Sequence, residues 1–183
     1  MKIFFLRSLF ILALVFFEFS FFDVLAPSVS APLILISSVV VWTLLSGFPG
    51  ALPMIIPLTI LFDLVSSGTL GTLTLYAIPL AYATSFLSRR LLVEHRGMGM
   101  ILYALCAAVS NFGYLVVSIL FFQGHPLSFT RETLTTLFSA LSFAPLMLSM
   151  LLTLPLFALA YAVIRRFEER MGFIAQGEIL PMR

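Results

Sequence analysis

Long apolar runs, separated by short turn-forming or charged segments, organise this chain, and their spacing predicts about six helices. A helix crosses about 30 Å of hydrocarbon with roughly 20 apolar residues. The first run covers residues 3–25. Lys2 and Arg7 ahead of it, with Ser28-Val29-Ser30-Ala31 behind, have the layout of a signal peptide. Its apolar part is too long for one, and Glu18 and Asp23 interrupt it, which favours a retained helix. The second run, 32–46, opens with Pro32, suited to a first helical turn, and holds Trp42, whose amphipathic ring is expected near the headgroup level. Gly47-Phe48-Pro49-Gly50 is turn chemistry. Runs 51–65 and 70–87 flank Ser66-Ser67-Gly68, and so short a connection makes them antiparallel neighbours. A fifth run covers 98–122, after a charged loop with Arg89, Arg90, Glu94, His95 and Arg96.

The last apolar run, 134–164, is longer than one span needs and contains Pro145 and Pro155. The sequence favours a short surface segment before Pro145, then the true span, over one long kinked helix. Residues 1–164 thus form a transmembrane domain and 165–183 a basic tail. Phe167, Met171 and Ile174 fall at helical spacing, which suits an interfacial helix.

Composition agrees with this pattern. Of 183 residues 61% are hydrophobic and 10% charged, against about 25% charged in soluble domains; such a chain cannot supply a polar shell. Its pI near 9.0 comes without a basic run or a basic patch interleaved with aromatics, so nucleic acid is not an expected partner. With six spans and a cytoplasmic N-terminus, Lys2, Arg7, Arg89, Arg90, Arg96, Arg165, Arg166, Arg170 and Arg183 share one side and Arg131 stands alone on the other. That bias places both termini in the cytoplasm.

Ionisable residues inside apolar runs cost roughly 2.5–3.5 kcal/mol on insertion scales and need a reason. Asp23, near the outer end of the first helix, reaches water. Glu18 lies deeper; it faces a polar cavity, pairs with a partner subunit, or stays protonated. Asp63 lies about 13 residues beyond the Gly47–Gly50 turn, roughly 20 Å along a helix, beside the start of the next helix. There its carboxylate can fold back onto free N–H groups at the positive end of the helix dipole, a role open also to Ser66, Ser67 or Thr69. The alternative for Asp63 is a contact for a partner or a cation. Small residues Gly71, Thr74, Ala81 and Ser85, and likewise Ala104, Ala107, Ala108 and Asn111, recur at helix-packing spacing. Asn111 suits a hydrogen bond between helices. Cys106 reads as packing, and His95 and His125 lie in loops on opposite sides. No catalytic, metal or cofactor set assembles from these residues.

At the hairpin, Leu61-Phe62-Asp63-Leu64-Val65-Ser66-Ser67-Gly68-Thr69-Leu70-Gly71 resembles the signature of the rod shape-determining protein MreD family: an aspartate, a small-residue turn, then Leu-Gly opening the next helix. Asp63, Ser66, Leu70 and Gly71 are the matching positions, with Gly68 in the turn between them. The run from Pro32 to Trp42 is similar to the family's second span. The resemblance covers the whole chain as architecture and about 40 residues as pattern; the outer loop with His125 and Arg131 carries no family signature. It implies an all-α integral membrane protein of the bacterial cytoplasmic (inner) membrane, with a fold similar to the S components of energy-coupling-factor transporters. It also implies a non-enzymatic subunit of the cell-elongation machinery that binds an MreC-like partner. Through that partner it would link MreB filaments to a RodA-type polymerase and its transpeptidase, maintaining cell shape and directing peptidoglycan synthesis. The competing expectation is an S-component-like subunit that captures a vitamin-type small molecule at the outer face.

Overall fold

The computed structural model describes residues 2–22, 33–66, 71–90, 96–122 and 143–170. Every regular element among them is helical. Helix α1 (Lys2–Phe17) continues into a π-helical turn, Glu18–Phe22. Helices α2 (Leu33–Val65), α3 (Thr72–Arg90), α4 (Arg96–Phe122) and α5 (Phe143–Arg170) follow. Ile101–Ser118 is long and apolar enough to cross a membrane, and by length and composition alone so is Leu33–Val65, which a reversal at Gly47 divides. Asp23, Ser67, Gly68, Leu70, His95 and His125 lie outside the described residues, as do 134–142 and 171–183.

Helix α2 is two rods. Gly47 has φ 71° and ψ 171°, in the left-handed region that glycine enters without a Cβ penalty. Ile34 donates its N–H to Glu18, while the Phe62 ring stacks on Phe19 at 5.2 Å. In one straight helix, residues 34 and 62 would stand roughly 42 Å apart, yet they touch consecutive residues. The chain therefore reverses at Gly47, and the arms 33–46 and 48–65 run antiparallel. Pro49 follows in the first turn of the second arm, where its missing N–H costs nothing. Pro53 and Pro57 continue at four-residue spacing, and all three rings are exposed.

The first arm is the centre of the molecule. Residues 33–43 are all buried, Leu33, Leu35, Val39, Val40 and Trp42 completely. A helix apolar around its whole circumference has to be enclosed by neighbours, and α1, α3, α4 and α5 all pack against α2. Trp42, near the Gly47 end of this arm, is fully buried with Phe10 edge-on at 5.9 Å.

Helix α5 differs most from the sequence expectation. It starts at Phe143, with Pro145 in its opening turn, and runs unbroken past residue 164 to Arg170. Residues 165–170 continue this helix, with Phe167 and Glu168 packed against the neighbouring rods. On its inner stripe Thr153, Phe157, Ala160, Ile164 and Glu168 are all buried.

Side-chain contacts fix the direction of each rod. One end of the bundle holds Glu18, Phe62 and Asp63; the other holds Arg7, Trp42, Gly47 and the last turn of α5. Phe48 meets Tyr82 edge-on at 5.6 Å, so α3 travels from the Asp63 end to the Gly47 end. Tyr76, near the start of α3, meets Tyr114, near the end of α4, so α4 travels the opposite way. The helix ends carrying Arg7, Arg89, Arg90, Arg96, Arg165, Arg166 and Arg170 consequently gather at the Gly47 end.

Candidate functional site

Asp63 closes the hairpin between α2 and α3. The α3 helix begins after Gly71, whose carbonyl accepts from Leu75 N at 2.9 Å. Gly71 is thus the N-cap residue, held at φ 91°, and has no side chain to satisfy the open N–H groups of the first turn. Asp63 supplies that function from the preceding helix. Its Oδ1 accepts from Leu73 N at 3.0 Å, and its Oδ2 accepts from Thr74 N at 3.1 Å and Thr74 Oγ1 at 2.8 Å. These are the second and third helical residues, the pair that a capping side chain normally serves. The carboxylate is 3% exposed and faces the positive end of the α3 dipole. Ser66 takes no part in the cap: its N–H donates to Phe62 O at 2.8 Å, and its hydroxyl lies 3.4 Å from Asp63 O.

Glu18 does the same for α2. To the three environments open to it from sequence the structure adds a backbone partner. Its Oε2 accepts from Ile34 N, in the first turn of α2, at 3.0 Å, and the residue is 5% exposed. The stacked Phe19 and Phe62 rings lie between the two caps, so both carboxylates serve helix starts at one end of the molecule.

Asn111 bridges α4 and α5, its Nδ2 donating to Thr153 Oγ1 at 3.1 Å. Its Oδ1 is buried without a partner among the described residues. On the same helix, Gly113 leaves room for Tyr76, whose hydroxyl donates to Ser110 O at 2.7 Å and lies 2.6 Å from where a Cβ on Gly113 would stand. The predicted packing residues Ala81, Ala104, Ala107 and Ala108 are all buried.

A third buried carboxylate escaped the sequence reading. Glu168, 1% exposed, accepts from Trp42 Nε1 at 3.2 Å through Oε1 and pairs with Arg7 Nη2 at 3.4 Å through Oε2. Phe10 stacks on Phe167 at 4.3 Å beside it. This clasp joins the first turns of α1 to the last turn of α5 across the centre of the fold. The signal was periodicity: Glu168, unlike Glu169, falls on the stripe of Phe157, Ala160 and Ile164. Glu169 faces outward and pairs with Arg165 at 2.7 Å.

Among the described residues, no group of three or more His, Cys, Asp or Glu stands ready to hold a metal ion. Cys106 is a free, half-buried thiol. A notch of about 150 Å³, lined by Phe48, Pro49, Tyr82, Ser85 and Phe86, opens at the Gly47 end. The three carboxylates hold helices in register: Asp63, Glu18 and Glu168 each accept from N–H or O–H donors of the fold itself.

No family model matches this chain, and no curated protein and no solved structure matches it.

Proposed function

We propose that the chain is a multi-pass inner-membrane scaffold of the MreD type, with about six spans and both termini in the cytoplasm. In this reading it docks the membrane helix of an MreC-like partner, contributes to cell elongation and performs no catalysis. The membrane part is supported by what the surface presents. Phe5 and Phe16 on α1, Leu64 on α2, Leu75 on α3, Val109 on α4 and Leu151 on α5 are each at least 59% exposed. Apolar residues on the outer face of each peripheral rod, around an equally apolar core, suit hydrocarbon as solvent. The gathering of arginine-bearing helix ends at the Gly47 end supports a cytoplasmic location for that end.

The observation that carries the scaffold reading is the Asp63 cap. The resemblance to MreD rests on an aspartate, a small-residue turn and a Leu-Gly helix start, and this carboxylate ties that turn shut. A fixed hairpin presents a defined outer surface, and helix association in lipid depends on such shape complementarity and on few polar contacts. The RodA-type polymerase, its transpeptidase and MreB enter the reading only indirectly, through the partner. The one notch described does not favour the vitamin-capturing alternative. The notch lies at the end away from Asp63, roughly 22 Å along the second arm of α2, and is smaller than the 300–1,000 Å³ typical of small-molecule sites.

The test is crosslinking in cells from positions 64, 65 and 75, near the Asp63 turn, to an MreC-like protein, with Asp63→Ala alongside. Crosslinks that weaken with the substitution support the proposal. Full partner recovery by Asp63→Ala, or no crosslink from any of the positions, sinks it.

A further inference from the structure

The outer face of α5 changes chemistry within one turn. Up to Val163 it is apolar: Leu159 is 53% exposed and Val163 42%. From Arg165 onward it is basic, with Arg165, Arg166 and Arg170 exposed. At 100° per residue, positions 159, 163, 166 and 170 fall within about 60° of one another, so they form a single stripe. Arg165 is engaged by Glu169 at 2.7 Å, and Arg7 by Glu168. Arg166 and Arg170 have no carboxylate partner among the described residues.

We infer that this stripe seats an anionic phospholipid, with Arg166 and Arg170 on the headgroup phosphate and Val163 and Leu159 along an acyl chain. The inference rests on the membrane reading above. Arg166 and Arg170 stand one helical turn apart, about 6 Å along the axis, a spacing from which two long side chains can converge on one phosphate. Guanidinium is suited to that anion because it offers paired N–H donors to two oxygens. The acyl contact begins one turn below the headgroup contact, as a lipid at a membrane boundary requires. The buried clasp of Glu168, Trp42 and Arg7 holds the opposite side of this same turn, so the stripe is presented on a fixed helix. An acidic segment of a protein partner would match the arginines but has no use for the apolar continuation.

The experiment titrates the full-length protein in neutral detergent with phosphatidylglycerol or phosphatidylcholine, reading bound lipid by native mass spectrometry and melting temperature in parallel. Phosphatidylglycerol is expected to bind more tightly and to raise the melting temperature. Arg166→Gln/Arg170→Gln should weaken that binding roughly 30-fold, at about 1 kcal/mol per arginine, while Arg165→Gln, which removes a paired arginine, keeps most of it. Equal loss in Arg165→Gln would overturn the assignment by showing net charge alone at work. So would equal binding of the two lipids, or an equal melting shift from inorganic phosphate. Retention of the protein in membranes after alkaline carbonate extraction tests the membrane reading separately, so the two failures are distinguishable.

Discussion

The two ends of the bundle use buried carboxylates in opposite ways. At the Asp63 end, Asp63 and Glu18 accept from backbone N–H groups of helix starts. At the Gly47 end, Glu168 accepts from two side chains, Trp42 and Arg7. Backbone donors cannot be substituted away, so removing the acceptor always leaves buried N–H groups unpaired. A side-chain clasp can be deleted from both sides and refilled with apolar groups. The first kind of contact is obligatory once the hairpin exists; the second is replaceable.

That contrast ranks the expected losses. Asp63→Ala should be the most damaging, since three donors lose their acceptor, at about 2–4 kcal/mol; a thermal melt in detergent should show a drop of several degrees. A melt unchanged from wild type would remove the hairpin lock from the account. Next comes Arg7→Leu, which leaves Glu168 with one neutral donor and should cost about 3 kcal/mol. Arg7→Leu/Glu168→Leu removes the stranded carboxylate but leaves Trp42 Nε1 without its acceptor, so part of that loss should be recovered, giving a coupling of about 1–3 kcal/mol in a double-mutant cycle. Additive losses would show that the clasp contributes no pairwise energy. Gly47→Ala follows, at about 1–2 kcal/mol: nothing lies within 4 Å of the added Cβ, so the cost is backbone strain alone. Thr74→Val removes one of the three Asp63 contacts and leaves the two N–H bonds. It is expected to cost about 1 kcal/mol, the smallest shift in the series.

Much of this was readable in advance, and the exceptions have two causes. Gly47-Phe48-Pro49-Gly50 announced a reversal because glycine and proline each restrict the backbone locally. Asp63 could be placed beside the next helix start because a short turn fixes what its neighbours touch. Glu18 could be flagged as costly, but its donor, Ile34, belongs to a different run, and sequence does not pair helix ends. Glu168 and the true length of α5 were hidden by averaging. Arg165, Arg166 and Glu169 make the segment read as polar, although only the outer face changes and Ile164 and Glu168 continue the inner stripe. Hydropathy sums around the helix; burial depends on one side of it.

The enclosed first arm of α2 frees the fold from one constraint. A rod of about 14 residues measures roughly 21 Å, short of a hydrocarbon layer, yet its neighbours seal it along residues 33–43, so under the proposed membrane reading no acyl chain would meet it there. Hydrophobic mismatch then falls on the peripheral rods alone. In thicker or thinner bilayers those outer helices should change tilt while the axle they surround keeps its length and register.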